Sequence, residues 1–573
     1  MTSGYFSLVL HCHLPYVLSH GTWPHGSDWL YEAAAETYLP LLQVIDELVS
    51  DGVSPRLTVS LSPVLCEQLA DRRFKDGFII YLDNRIDAAE RDQSEFLHLG
   101  RARMHANAAD TERRHRRTRD HFESLLRNIP ARFGRLAKAG HIELITCGAT
   151  HGYYPLLSRD ESLQAQTRMA VESHRHHFGI RPRGIWLPEC AYRPAGEWTP
   201  PVAIRGKREP YVRTGVDQVL AGNSLEYFVV DSALLPGWEG TRPRASSADL
   251  HQSLAGRLAR GMTVPAEIGH ISPHELFQVK SGQEPQRPIA VFARDPQTGA
   301  MVWSGEHGYP GDSVYLEFHK KHYPGGHRYW AVTAREADLG AKKEYAAEAA
   351  NQRAGEHAEH FVTRIREILS EAYQSSGTAG VLVAPYDAEL FGHWWFEGPV
   401  FLKAALRILS GDQSVQLSTL SEHLDRTPKR QTVTISEGSW GLENTHMVWV
   451  TEKNEWTWYL VYEAESVITR WARFWRDHPD RQTDELTAIL KQAARELMLL
   501  SASDWQFLIA SDSAADYAEN RVKEHYSDFK RLIQLAQVCL SEGGLLEGDR
   551  QFLHECERKD RLFSSIDLNW FAG

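Results

Sequence analysis

The chain has no long uninterrupted apolar run, so no segment is expected to span a bilayer. Its six cysteines (Cys12, Cys66, Cys147, Cys190, Cys539, Cys556) are scattered, with no CxxC spacing. That excludes a zinc ribbon or a disulfide framework and reads as the reduced thiols of a cytoplasmic protein. The opening Met1-Thr2-Ser3-Gly4 lacks a basic region followed by an apolar stretch, so no secretory leader is expected. Positive charge is in deficit, with 63 Lys and Arg against 75 Asp and Glu. The resulting formal charge of −12 argues against nucleic acid or an anionic membrane as the main partner. Tryptophan, by contrast, is plentiful at 17 residues, more than a core of this size usually uses. Indole faces fill cores, but they also stack on flat apolar surfaces such as the C–H face of a sugar. With 42% hydrophobic and 24% charged residues over 573 positions, the composition is that of a globular protein of several packed units.

The N-terminal part reads as an α/β barrel, strands alternating with helices. A β-rich run at 5–10 leads into His11-Cys12-His13-Leu14-Pro15-Tyr16, and further strands are expected at 57–63 and 141–146. Between them, residues 71–138 read as a helical insertion standing off the barrel, charge-dense over 112–127 and mostly a solvated face. Helix is expected at 162–178, then the strand of Gly184-Ile185-Trp186-Leu187-Pro188-Glu189-Cys190-Ala191-Tyr192. Another strand at 227–231 is followed by a long irregular loop at 234–288, of the kind that is usually functional. The sheet is expected to resume at 289–295 and 301–304 around a turn at 296–299. A long helix at 344–371 and a strand at 380–389 follow. Residues 1–405 are thus assigned to the barrel and 406–573 to an α-helical domain, with helices clearest at 466–477, 484–500 and 515–539.

Two acids stand out. Glu189 and Asp387 each follow a proline at the end of an apolar strand, and the C-terminal strand ends of a barrel are where catalytic groups collect. Glycoside cleavage needs two such carboxylates, one attacking or stabilising the cationic sugar centre and one protonated to donate to the leaving oxygen. Glu389, Asp231 and Glu143 are competing acids that spacing does not exclude. Tyr16, His151, Tyr153 and Trp303 lie at other strand ends, where they suit sugar binding. His11 and His13 share a strand face, which leaves two readings open: metal ligands, or hydrogen-bonding groups for a polar substrate.

The ordered motifs resemble glycoside hydrolase family 57, and within it the glycogen branching enzyme group. They are His11-Cys12-His13-Leu14-Pro15-Tyr16, Ala149-Thr150-His151-Gly152, Trp186-Leu187-Pro188-Glu189-Cys190-Ala191-Tyr192, the helix around His357-Ala358-Glu359-His360-Phe361, and Ala384-Pro385-Tyr386-Asp387-Ala388-Glu389-Leu390-Phe391-Gly392-His393-Trp394-Trp395. The resemblance implies a distorted (β/α)7 barrel with a helical insertion and a helical domain closing over the site. It implies a retaining mechanism without metal or other cofactor on an α-glucan such as amylose, glycogen or starch. Glu189 would be the nucleophile and Asp387 the general acid then base, their carboxyls about 5–5.5 Å apart. His11, His13 and His151 then read as substrate-binding, as do Arg294, Trp303, Gly311, Trp440, Trp449 and Asp504. Trp449 could instead fill core, and Asp504 could cap a helix; His319 is a weak candidate. Two departures bear on transfer against hydrolysis. Residues 236–274 contain no tyrosine where branching enzymes carry one, and Ser513 stands where a glutamine is common. Amylase-like hydrolysis or 4-α-glucanotransfer, a metal-dependent barrel hydrolase, and a non-catalytic glucan-binding protein are the alternatives.

Overall fold

The computed structural model describes residues 2–204, 206–237, 271–282, 287–304, 308–334 and 336–573. Seven parallel strands carry the N-terminal part: β1 (Gly4–Cys12), β2 (Leu57–Leu61), β3 (Ile142–Cys147), β4 (Gly184–Trp186), β5 (Tyr227–Val230), β6 (Ile289–Ala293) and β7 (Gly380–Asp387). They are hydrogen-bonded in the order β7-β1-β2-β3-β4-β5-β6. A parallel bridge between Arg294 and Val383 then joins β6 back to β7. The sheet is therefore a closed (β/α)7 barrel, and its weakest seam lies between β6 and β7.

Strand side chains alternate between the two faces of a sheet. One parity (Val9, Ile145, Cys147, Trp186, Tyr227, Val229, Phe292, Val381, Val383) forms a cluster inside the barrel, closed below by Leu420 and Leu424. The other parity (Leu8, Leu10, Phe228, Val230, Val291, Leu382) packs outward against the helices. Extending the inward parity to the C-terminal strand ends reaches His11, Ser60, Asp231, Arg294 and Asp387. Glu143 also points inward, but near the start of β3, where it accepts hydrogen bonds from Tyr227 Oη at 2.6 Å and Ser421 N at 3.0 Å. It belongs to the opposite end of the barrel.

The insertion is a hairpin of α2 (Arg72–His98) and α3 (Ala102–Ser124), the first of them following α1 (Leu39–Ser50) and capped by the Asp71 carboxylate on Arg73 N. Its solvated face is only half the picture. Phe74, Phe78, Leu82 and Ile86 recur every fourth residue on α2, and His115, Thr118 and Phe122 line α3, all buried. This stripe is covered partly by the 316–345 segment, for instance through Tyr329 Oη to Asp92 at 2.7 Å and Arg101 to Glu344 at 3.0 Å.

One expected strand is a helix. Residues Pro296–Trp303 form a helical segment whose first turn is capped by Asp295, which accepts from Thr298 N and Thr298 Oγ1, each at 2.7 Å. Asp at the cap with Pro at the first helical position outweighs the local β propensity of Met301-Val302-Trp303. Most of the loop expected at 234–288 lies outside the described residues; within it, Phe277–Val279 is a strand antiparallel to β6.

The expected division at 405–406 is crossed by two strands. Val415–Leu417 pairs with β1, and Thr432–Val433 pairs with Phe277–Val279. The long helices of the C-terminal part are α4 (Glu455–Asp477), α5 (Asp484–Leu500) and α7 (Ala515–Glu542), with the short α6 (Ser503–Ser511) between the last two. The segment before α4 and the link between α5 and α6 reach the barrel mouth, where Tyr192 bridges Gly438 and Gly152 bridges Ala502.

Asp295 is buried and also meets His274 Nε2 at 3.0 Å. Asp295→Ala is expected to lower stability in urea unfolding by about 2 kcal/mol, the loss of a cap plus a buried charged partner. Asp295→Asn, which keeps an acceptor, should recover much of that loss.

Candidate active site

β4 ends at Trp186, and Glu189 follows in a single turn, Pro188–Cys190, rather than on the strand itself. Glu189 and Cys190 both have left-handed backbones (φ 59° and 48°), as does His151 (φ 59°). Each such residue costs about 1–2 kcal/mol for a side chain larger than glycine, so the surroundings must hold the turn. They do so from the C-terminal half of the chain. Trp440 N–H donates to Glu189 O at 3.2 Å, while its indole Nε1–H donates to the Glu189 carboxylate at 2.9 Å. Ser503 grips in the same way: its N–H donates to His151 O at 2.9 Å and its hydroxyl to Glu189 Oε1 at 2.9 Å.

Asp387 ends β7, register-paired with His11. Among the described residues no donor is hydrogen-bonded to its carboxyl. Burial raises its pKa well above the ordinary value, and the charges of Glu389, Glu189 and Asp504 raise it further against the pull of Arg294. Burial also pushes Glu189 up to about 7, with the Trp440 and Ser503 donors opposing that rise. The two carboxyls thus act on one another, yet only Glu189 is supplied with hydrogen bonds that favour its ionised form.

A row of imidazoles fills the floor between them. His13 and His151 are stacked at 3.9 Å, and His11 lies parallel to Trp186 at 4.8 Å. Burial, then the neighbouring imidazoles, hold His11 and His151 well below the usual pKa, so both are neutral. The donor directions follow from the network. Ser503 gives its proton to Glu189, so it accepts from His151 Nδ1–H at 2.8 Å. His151 Nε2 then accepts from His11 Nε2–H at 3.1 Å, and His11 Nδ1 accepts from Ser60 at 3.0 Å. His13 similarly spans Ser62 (2.8 Å) and the Asp504 carboxylate (3.1 Å), and its backbone N–H donates to Glu389 at 3.0 Å.

The competing acids are accounted for by their partners. Glu389 accepts from Tyr38 Oη at 2.6 Å as well as from His13, and Asp231 pairs with Arg294 at 3.2 Å. Arg294 nevertheless lowers the Asp387 pKa, so it belongs to the same site.

The family model described as Glycosyl hydrolase family 57 matches residues 7–436, and one described as 1,4-alpha-glucan branching enzyme, C-terminal, matches residues 463–571. The chain belongs to glycosyl hydrolase family 57. It is 38% identical to the 1,4-alpha-glucan branching enzyme TK1436 of Thermococcus kodakarensis over 98% of this chain and 78% of that protein. The crystal structure of a GH57-type branching enzyme from Pyrococcus horikoshii superposes with a TM-score of 0.87 at 36% identity, covering 100% of this chain and 97% of that one. The α-amylase AmyC from Thermotoga maritima gives a TM-score of 0.79 at 28% identity, covering 100% and 99%.

Within this family 57 chain the structure sorts the remaining candidates. Trp440 stands between two edge-on indoles, Trp186 at 5.3 Å and Trp303 at 5.9 Å, and Trp303 is 38% exposed. Asp504 does not cap α6; the cap position is Ala502, and Asp504 faces His13. Trp449 is buried against Tyr153 at 4.5 Å, so it packs behind the site and offers no face to a sugar in this arrangement. Gly311 is exposed at the end of the turn Tyr309–Gly311, and His319 is bound to Glu317 at 3.1 Å; among the described residues neither is linked to the carboxyl pair. Tyr16 is directed away from the site, donating to Lys559 O. Ser60, Ser62, Tyr38 and Ser503 were not foreseen. Ser503 adjoins Asp504 in Ser503-Asp504-Trp505, and that adjacency was its one signal.

His13, His151 and Asp504 offer donor atoms close enough for a metal. A metal would have to displace the hydrogen bonds that occupy both nitrogens of each ring. Purified protein is therefore expected to carry no stoichiometric zinc, iron or manganese by elemental analysis, and chelator should leave activity unchanged. One tightly held ion per chain with loss of activity on chelation would reverse this reading.

Proposed function

We propose that the chain is a 1,4-α-glucan branching enzyme working by double displacement, with Glu189 as nucleophile and Asp387 as general acid then base. The contrast between the two carboxyls carries this reading. Glu189 accepts from Trp440 and Ser503, which favours the anion needed for attack on the anomeric carbon. Asp387, buried and facing other acids, favours the protonated form needed to donate to the departing glycosidic oxygen.

In the first step Glu189 forms an ester bond to the anomeric carbon as the α-1,4 bond breaks and the Asp387 proton passes to the released chain end. In the second, Asp387, now ionised, takes the proton from an incoming 6-hydroxyl as that oxygen displaces Glu189. Each step inverts the centre, so the α configuration is retained. Trp440 and Trp303 are suited to the apolar face of the bound glucose units, and His11, His13, His151, Asp504 and Arg294 to its hydroxyls. The substrate is an α-glucan of the kind handled by the relatives named above. Among the described residues no helix is long and apolar enough to cross a membrane, and all six cysteines are free and buried, which fits a reducing cytoplasm.

Whether the sugar goes to a glucan or to water depends on water exclusion over the intermediate. The tyrosine-free stretch 236–274 favours a raised hydrolytic share as the second reading; most of it lies outside the described residues. Ser513 is exposed, and its hydroxyl meets that of Ser511 at 2.7 Å.

Incubation with amylose should produce new α-1,6 linkages, read from anomeric proton signals, in excess of new reducing ends. Reducing ends without branch points would remove the branching assignment. Glu189→Gln and Asp387→Asn are each expected to lower turnover by at least about a thousandfold with the fold intact.

The pH profile of kcat/KM tests the division of roles. Ionised Glu189 is required, so activity falls as pH drops through about 7. Trp440→Phe keeps a ring but removes a hydrogen bond to the anion, so the acid limb should move to higher pH by about one unit. A shift of the alkaline limb instead would assign the nucleophile elsewhere.

A further inference from the structure

A second charged pocket lies between the insertion hairpin and the barrel, behind the loop that follows Asp387. It is small and is lined by Arg85, Arg114, Lys321 and Arg328 together with Glu32 and Glu36. Four cations therefore face two carboxylates. His327, also on its wall, adds no charge, because burial, with Arg85 beside it, pushes its pKa down to about 3.

The charges do not pair off. Arg328, 7% exposed, is matched to Glu36 at 2.9 Å, and His393 meets the same carboxylate at 3.2 Å. Lys321 reaches Glu32 only at 3.9 Å and is half exposed. Arg85 spends its terminal nitrogens on neutral acceptors, Gly325 O at 2.5 Å and His327 Nδ1 at 2.7 Å, and among the described residues its buried Nε has no hydrogen-bond partner. Asp28 acts on Arg85 through space without a contact. Arg114 makes no hydrogen bond or ion pair with any described residue; its guanidinium lies over the Phe396 ring at 4.5 Å. Burial pulls its pKa down, and Arg328 and Arg85 add to that against Glu36. Like charges gathered around a pocket with free N–H donors are costly unless an anion joins them.

We propose that this pocket binds a tetrahedral oxyanion, inorganic phosphate or the phosphate group of a phosphate monoester, held by Arg114 and Arg85 with Lys321 at the mouth. Planar guanidinium groups present the paired donors that phosphate oxygens accept, and the ammonium supplies a third charge. The site is separate from the sugar-binding floor but adjoins its back wall. Glu36 precedes Thr37, which accepts from His393 N, and Tyr38, which donates to Glu389. Gly392, in the same loop, packs so closely on Glu36 O that an added Cβ would lie 1.8 Å from it.

The test is titration of the full chain with inorganic phosphate at constant ionic strength, chloride being the reference, read by calorimetry and by thermal unfolding. One saturable site per chain is expected, with a rise in Tm that chloride does not give. Arg114→Gln should weaken phosphate binding by at least about tenfold. Lys321→Gln, an exposed change that leaves the unliganded Tm unaltered, should weaken it less. Competition by glucose 1-phosphate would show that the mouth admits a phosphate monoester, whereas phosphate binding without such competition assigns the site to the free ion. No saturable binding beyond the chloride effect, or binding undiminished in both variants, overturns the proposal.

Discussion

Trp440 and Ser503 each hold the Glu189 region by one backbone and one side-chain hydrogen bond, and the rest of the site depends on that double hold. Both residues come from the part of the chain beyond the barrel strands. The turn they hold has consecutive left-handed residues, Glu189 and Cys190, which a free loop would relax. The barrel supplies the floor and the place; the later segments supply the orientation and two of the hydrogen bonds that favour the Glu189 anion. A barrel without its helical part would still contain both carboxyls, but Glu189 would lose its donors and its fixed aim.

The same hold sets the direction of the proton-donor chain behind Glu189. Because Ser503 donates to the carboxylate, His151 must donate to Ser503 and His11 to His151, with Ser60 closing the chain inside the barrel. Burial keeps both imidazoles neutral, so one tautomer of each satisfies every contact. Asp387 stands at the next strand, and among the described residues it has no such donor. The two acids differ through their neighbours rather than through residue type, which is how one pocket can hold a base and an acid together.

Much of this was legible in the sequence. Proline followed by a carboxylate at the end of an apolar strand singled out Glu189 and Asp387, which the fold brings close enough to act on one another, and two-residue alternation put His11 and His13 on one strand face. Spacing left Glu143 open as a competing acid; only the fold shows that it lies near the start of its strand, bonded to Tyr227 and Ser421 at the far end of the barrel. Met301-Val302-Trp303 misled because its β-type composition is overridden by the Asp295-Pro296 helix start, which puts Trp303 on a helix end beside Trp440. The sequence left Trp449 open between sugar binding and core, and it gave no sign of the covered stripe of the insertion hairpin, since both depend on segments far apart in the chain. Ser503 and Ser60 carry no pattern of their own; a serine becomes part of a site only through what the fold places next to it.

The most direct measurement is to trap the covalent intermediate. A slow α-glucosyl fluoride bearing a ring-fluorine substituent, followed by proteolysis and mass spectrometry, locates the ester. One glucosyl label per chain on the peptide containing Glu189 is expected, with none in Glu189→Gln. A label on Asp387 or Glu389, or turnover with no ester formed, would contradict the central assignment.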